Sequence, residues 1–117
     1  MALESQTTIA NRHTFINTFT NEYDTNNDIT IITPTSGKSI IVTGVFIETE
    51  VGSAADGHIR LYFPTTVDTV FMTHAAVGGS RTMGNMLVRG AVNEVLKLKS
   101  DIGQGKSYYV AVNYRQE

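Results

Sequence analysis

The fold is decided by residues 108–115, which read Tyr-Tyr-Val-Ala-Val-Asn-Tyr-Arg. The even positions of this segment hold Tyr, Val, Val and Tyr, and the odd positions hold Tyr, Ala, Asn and Arg. Successive side chains of a β-strand point to opposite faces of the sheet, so this alternation is typical of a strand with one buried face. β-forming residues also fill much of positions 86–99, and glycines mark the turn that follows them. The last third of the chain therefore predicts antiparallel strands and an all-β domain.

Similar signals recur throughout the rest of the chain. Turn-forming residues separate short runs of β-branched and aromatic residues at intervals of about 8 to 15 residues. No stretch of about 11 residues or more shows the apolar spacing of a helix. We predict strands at residues 14–23, 29–33, 38–50, 58–63, 67–74, 86–89, 92–99 and 108–115. The pattern indicates a single antiparallel β-sandwich or jelly-roll-like domain of about 7–9 strands.

The strand predicted at residues 38–50 carries apolar residues on both faces. Strict alternation places one set of side chains on one face, namely Ile41, Thr43, Val45 and Ile47. The same alternation places a second set on the opposite face, namely Ile40, Val42, Gly44 and Phe46. We therefore expect both faces of this strand to be buried at its start.

The length of 117 residues is that of one domain. Residues 1–8 are polar and have no strand period, so we predict an N-terminal arm at residues 1–12 and the β-sandwich domain at residues 13–117. The sequence contains no cysteine, which excludes disulfides and thiolate zinc sites. It shows neither a signal peptide nor a run of about 18 apolar residues, so we expect synthesis in the cytoplasm and no membrane partner.

The net charge of −2 gives no basic field of the kind that attracts nucleic acid, so we expect no nucleic-acid partner. The charge is unevenly distributed, because residues 1–59 hold two basic and seven acidic residues and residues 60–117 hold seven and four. One interpretation is self-association through opposed patches. The other is that antiparallel strands interleave the two halves.

Motifs for catalysis or cofactor binding are weak. Asp24, Asn26 and Asp28 match the first three ligand positions of a calcium loop, but Ile29 and Thr35 stand where that loop needs glycine and glutamate. An Asx-rich turn and a loose calcium site both remain open. The three histidines are scattered singly, and no serine has the surroundings of a nucleophile elbow. We expect a protein that is not an enzyme and has no metal or other cofactor.

Aromatic residues offer a second binding hypothesis. An exposed group of them would form a stacking platform for sugars, and ordinary core packing is the alternative. The residues concerned are Tyr62, Phe63, Tyr108, Tyr109 and Tyr114.

The order of segments from residue 39 to residue 114 resembles that of small structural β-sandwich proteins of tailed bacteriophages. The matching features are the run Ile-Ile-Val-Thr-Gly-Val-Phe-Ile at 40–47, a hairpin partner at 58–63, a Gly-rich loop, the run at 88–98 and the terminal Tyr/Val strand. The resemblance implies a virion component, a capsid decoration or cement protein or a head-tail protein, without chemistry of its own. It also implies a homo-oligomer, often a trimer, whose partner is the major capsid protein or another virion protein.

A protein that binds a preassembled shell needs exposed edges, loops or an arm, since a rigid sandwich offers little else. Residues 2–12 provide an arm, and residues 77–85 predict a Gly- and Met-containing loop that opens at Gly78. Methionine adapts to irregular surfaces. The predicted partner-binding residues are Leu3, Arg12, Arg81, Met83 and Met86.

Two alternatives to capsid decoration remain open. One is a phage tail or fibre module that binds host surface glycans, and the other is a soluble carbohydrate-binding β-sandwich module. Both depend on the aromatic residues and on the low charged fraction of 17%, which leaves a surface of uncharged polar groups.

Overall fold

The computed structural model describes residues 17–23, 27–49, 58–74, 79–100 and 108–117. These residues form nine strands, which confirms the predicted all-β class. The strands are β1 (Asn17–Tyr23), β2 (Asn27–Ile32), β3 (Ile40–Thr49), β4 (His58–Phe63), β5 (Val67–His74), β6 (Gly79–Met83), β7 (Val88–Arg89), β8 (Leu96–Ser100) and β9 (Tyr108–Gln116). The described segments include no helix with the length and apolarity needed to cross a membrane.

The strands form two antiparallel sheets, each built from segments that are distant in sequence. The first sheet has the order β1-β9-β3-β6, and the short strand β7 also pairs with β3. The second sheet has the order β2-β8-β4-β5. The chain crosses repeatedly between the two sheets, which is the arrangement of a jelly-roll-like β-sandwich. The predicted fold class is confirmed.

The hydrophobic core lies between the sheets and takes one face of each. In β4, residues 59, 61 and 63 are buried and the residues between them are partly exposed, as the sequence predicts. Tyr108 is also buried, and its hydroxyl shares a hydrogen bond of 2.7 Å with the Ser100 hydroxyl, so its polar atom is satisfied inside the core. The core residues are Ile32, Ile40, Val42, Val45, Ile47, Ile59, Leu61, Phe63, Val70, Met86, Leu96, Leu98, Tyr108, Val110 and Val112.

The strict alternation predicted for β3 is wrong, because a β-bulge interrupts the strand. Residues 42 and 44 pair with adjacent residues of β9, so Thr43 has no opposite residue in that strand. One extra residue reverses which side chains face the core. The inward side chains are Ile40 and Val42 before the bulge, and Val45 and Ile47 after it. Both faces are buried at the start of the strand, as predicted.

The loop predicted between Gly78 and about Gly84 is also wrong, because residues 79–83 form strand β6. This strand pairs with residues 45–49 of β3 at the edge of the first sheet. Its sequence, Gly-Ser-Arg-Thr-Met, lacks apolar alternation. An edge strand is held largely by backbone pairing, so its side chains need not follow the pattern of a buried strand.

One end of the sandwich, here called the closed end, consists of residues 33–39, 64–66, 90–95 and 116–117. Glu94 is its central polar residue and is only 9% exposed. Its carboxylate accepts hydrogen bonds from the backbone N–H groups of Thr65 (2.6 Å), Thr66 (3.2 Å) and Ala91 (2.9 Å). The hydroxyls of Thr65 (2.6 Å) and Thr66 also donate to it. Glu94 thereby fastens the turn between β4 and β5 to the loop before β8.

A second set of hydrogen bonds ties the connection between β2 and β3 into the closed end. The Asn93 side chain accepts a 2.6 Å hydrogen bond from the Gly37 N–H, and the Asn93 N–H donates to the Lys38 carbonyl at 2.8 Å. Asn93 adopts a φ of 67° in the turn before β8, so the strand predicted at residues 92–99 starts only at Leu96. Ser39 and Glu117 exchange two backbone hydrogen bonds of 2.7 and 3.0 Å, which also anchor the segment after β9.

Candidate interaction surfaces

The outward face of the second sheet carries a cluster of charged and aromatic residues. We call it the basic face and define it by Asp28 on β2, Lys97 and Lys99 on β8, Arg60 and Tyr62 on β4, and Met72 on β5. The register places Asp28, Lys99, Arg60 and Met72 in one row across the four strands. These residues alternate along their strands with core residues, so the same periodicity that builds the core brings them together on the outside.

Tyr62 is the centre of the basic face. The Arg60 guanidinium lies 4.6 Å from the centroid of its ring, and the Lys97 ammonium lies 5.9 Å from it. Both distances allow cation–π attraction. The Tyr62 hydroxyl donates a 2.7 Å hydrogen bond to Asp28 Oδ1, and Lys97 Nζ lies 3.5 Å from the same oxygen. The aromatic ring, two cations and one carboxylate therefore hold each other in place.

The charges of this cluster shift two pKa values in opposite directions. The hydrogen bond from Tyr62 lowers the pKa of Asp28. Partial desolvation opposes this shift, but the positive charge of Lys97 acts in the same direction as the hydrogen bond, and together the two outweigh desolvation. Desolvation raises the pKa of Tyr62, and its hydrogen bond to Asp28 adds to this effect. Asp28 is thus kept ionised and Tyr62 neutral, which preserves their hydrogen bond.

A cavity of about 220 Å³ opens beside this cluster. Its lining residues are His58, Arg60, Met72, Lys99 and Ser100. Arg60 is ion-paired with Asp68 at 3.2 Å. Among the residues that the structure describes, no carboxylate lies within ion-pair distance of Lys99. The cavity therefore combines an exposed apolar side chain, Met72 at 54% exposure, with a lysine that makes no ion pair within the described residues.

The outward face of the first sheet has a different composition. Glu22 on β1, Tyr109 on β9 and Glu48 on β3 stand opposite one another in the register, and we call these three residues the acidic row. Both carboxylates are exposed, and within the described ranges no cation lies within ion-pair distance of either. The Tyr109 ring is 38% exposed and packs edge-on against Phe46 at 6.2 Å. This row is therefore an acidic strip with an aromatic centre.

The predicted partner-binding residues do not form one surface in the described part of the chain. Leu3 and Arg12 lie outside the described residues, as does the whole predicted arm. Arg81 and Met83 lie on edge strand β6, where both are exposed and Met83 is 47% accessible. Met86 has 8% exposure, packs in the core and donates its N–H to the Thr43 carbonyl at 3.0 Å. Its side chain anchors the segment after β6 and contributes nothing to the exposed edge.

The sugar platform proposed from the aromatic residues is not formed. Phe63 and Tyr108 are buried, and Tyr114 packs against the core. Tyr62 and Tyr109 lie on opposite faces of the sandwich. These five aromatic residues therefore fill the core or stand apart.

The calcium hypothesis is only partly within the described residues. Asp28 is engaged by Tyr62 and Lys97, whereas Asp24 and Asn26 lie outside the described ranges. Within those ranges no group of three or more His, Asp or Glu side chains is arranged to hold a metal ion.

The sequence pattern predicts that His58, Arg60 and Tyr62 face outward, and the structure confirms it. It does not predict that Asp28, Lys97 and Lys99 join them. Residues 28, 60 and 97 meet only because β8 is inserted between β2 and β4. Charged and aromatic residues at alternate positions of these strands indicate an outward polar face. Which of these residues meet depends on the strand order, which is a property of the whole fold.

Comparison with known proteins supports the fold. No protein-family model and no curated protein matches the chain. The chain is similar to one from the acidic stable capsid structure of Helicobacter pylori bacteriophage KHP30, with a TM-score of 0.62, 13% identity and 86% of each chain covered. It is also similar to a chain of the cyanophage Pam1 capsid asymmetric unit, with a TM-score of 0.50, 13% identity and coverage of 86% of this chain and 82% of that one. The resemblance to phage structural β-sandwich proteins is thus confirmed at the level of the fold.

Proposed function

We propose that this chain is a structural protein of a bacteriophage particle, without enzymatic activity, and that it binds the outside of the capsid as a decoration or cement protein. The observation that carries this proposal is the similarity of the jelly-roll-like sandwich, over 86% of its length, to a chain of a phage capsid. Fold similarity supports a function by analogy, so particle binding is the property to test.

The distribution of exposed and buried groups is compatible with such a role. The polar groups at the closed end are used to hold the sandwich together, which leaves a rigid unit whose sheet faces and edges are available to neighbours. Edge strand β6 exposes Arg81 and Met83, and Leu87 follows as a further exposed apolar residue. Many weakly held copies on a symmetric lattice gain avidity without a tight individual site.

The proposal includes a contact role for the arm at residues 1–12 and a homo-oligomer on the particle, with a trimer favoured. The partner is the major capsid protein or another virion protein, and the protein's location is the virion. These elements derive from the phage resemblance and from the sequence of the arm.

Re-addition of purified protein to particles that lack it tests the proposal. We expect the full chain to bind and to increase the resistance of the particles to heat. Removal of residues 1–8 is expected to abolish binding while circular dichroism shows an intact β-sandwich. A matched control is Thr20→Ala, an exposed substitution on β1. Failure of the full chain to bind contradicts the capsid role, and unchanged binding of the shortened chain contradicts only the role of the arm.

A further inference from the structure

Two surfaces that carry charged side chains of opposite sign lie on opposite sides of the sandwich. The acidic row belongs to the first sheet and the basic face to the second. Glu22 and Glu48 have no ion-pair partner within the described ranges, and neither does Lys99. Because these three side chains have no ion-pair partner in the described part of the chain, each can gain a counter-charge from another molecule.

The two surfaces also match in spacing. Neighbouring strands of a sheet lie about 4.8 Å apart, so the backbones that carry Glu22 and Glu48 are separated by about 10 Å, with Tyr109 between them. Lys99, Arg60 and Met72 stand on three successive strands of the second sheet with the same spacing. A row of three side chains on one face can therefore lie against a row of three on the other.

The aromatic member of the acidic row adds a second form of complementarity. When Glu48 lies against Lys99, the shared strand spacing places Tyr109, which is 38% exposed, against Arg60. A guanidinium packs favourably on the face of an aromatic ring. The cavity of about 220 Å³ has room for a carboxylate side chain next to Lys99.

We propose that the acidic row of one copy docks on the basic face of a second copy, with Glu48 placed against Lys99. The contact is heterologous, because the two copies use different surfaces. The surfaces lie on opposite sides of each copy, so the contact adds one copy at a time and does not close on a dimer. This inference goes beyond capsid binding and is tested on the purified chain alone.

The contact is expected to be weak and dependent on salt. A four-stranded face about 19 Å wide, with strands about 17–20 Å long, covers roughly 300–400 Å². This area is small beside the roughly 800 Å² that each partner buries in a standard interface. Exposed charges are also screened at high ionic strength. On a particle, where copies are held close together, such a weak contact still gains occupancy through high effective concentration.

The test is sedimentation velocity of the full chain up to about 1 mM protein, at about 50 mM and about 500 mM salt. We expect association at low salt that weakens at high salt. Glu48→Lys and Lys99→Glu, each alone, are expected to weaken association at least about tenfold, because each variant brings like charges together. An equimolar mixture of the two variants is expected to restore association, since the reversed residue of one variant faces the reversed residue of the other. Lys38→Glu, an exposed charge reversal at the closed end, is the matched control and is expected to leave association unchanged.

Several results would each overturn the proposal. They are a monomer under all conditions, single variants that associate like the unmodified chain, and a mixture that stays as weak as its components. An effect of Lys38→Glu as large as that of Lys99→Glu also overturns it, because net charge would then be the cause. None of these results bears on capsid binding, which is measured with particles.

Discussion

The closed end and the basic face each contain one carboxylate in a network, but the two networks differ in depth. At the closed end, Glu94 is 9% exposed and accepts hydrogen bonds from three backbone N–H groups and two hydroxyls. On the basic face, the Asp28 side chain is 51% exposed, and among the described residues it is contacted by Tyr62 through a hydrogen bond and by Lys97 through an ion pair. Burial strengthens each electrostatic contact and makes its loss costly, whereas solvent screens an exposed one. The fold therefore depends on the closed end, and the basic face is free to serve binding.

The sharpest test of this difference is Glu94→Gln. The substitution removes the charge and points an amide at donors that need an acceptor, so we expect a loss of about 3 kcal/mol of unfolding free energy. Chemical denaturation with matched m-values measures it. Glu48→Gln is the control, since this glutamate is exposed on β3, and its effect is expected to stay within about 0.5 kcal/mol. Equal losses of unfolding free energy for the two substitutions would show that the buried carboxylate stabilises the fold no more than an exposed one.

The pH dependence of stability tests the same carboxylate without a mutation. Desolvation acts to raise the pKa of Glu94, but the hydrogen bonds from Thr65, Thr66 and Ala91 outweigh it and lower the pKa from 4.5 to about 2. A group with a depressed folded pKa contributes stability that is complete above its unfolded pKa and is lost as the pH falls through its folded pKa.

This contribution corresponds to about 3 kcal/mol between pH 4.5 and pH 2. Denaturation curves recorded across this window are expected to show a steeper decline for the unmodified chain than for Glu94→Gln. Parallel declines would mean that other carboxylates cause the acid sensitivity.

The packing of the closed end predicts a smaller but clear effect for Gly90→Ala. A Cβ at this position would stand 2.6 Å from two atoms of the buried Phe63 ring. Moving that ring is expected to cost about 2 kcal/mol. Gly84→Ala is the matched control, because a Cβ there meets no atom within 4 Å. A thermal melt of both variants distinguishes them, and an unchanged Tm for Gly90→Ala would show that the ring moves at no cost.

The basic face is expected to give the smallest effect on stability. Tyr62→Phe removes the hydrogen bond to Asp28 but keeps the ring between its two cations, so a loss below about 1 kcal/mol is expected. Tyr109→Phe on the opposite face serves as the control for removing a tyrosine hydroxyl. A loss for Tyr62→Phe as large as that for Glu94→Gln would show that the basic face is also part of what holds the fold together.

The fold class was predictable because alternation in β4 and β9 reports directly which side chains are buried. The bulge at Thr43 was not predictable, because the residues before and after it are apolar on both faces of the strand, so the sequence pattern does not show which residue is unpaired. Strand β6 was missed for a related reason: its Gly-Ser-Arg-Thr-Met sequence pairs through the backbone at a sheet edge.

For the candidate surfaces too, the sequence predicted which side chains are exposed in a strand but not which strands lie side by side. Period-two alternation predicted the exposure of Arg60 and Tyr62. It predicted neither the burial of Met86 nor the edge strand that precedes it. Met86 lies in the core because the chain returns towards β3 after β6, where its N–H bonds to Thr43. The meeting of Tyr62 with Asp28 and Lys97 depends on the order β2-β8-β4, which local sequence does not encode.

The most direct test of the central claim is the copy number of this chain in purified particles from its source, measured by quantitative mass spectrometry against the major capsid protein. A decoration or cement protein is predicted to be present in a copy number of the same order as that of the major capsid protein. Absence of the chain from the particles would contradict the account.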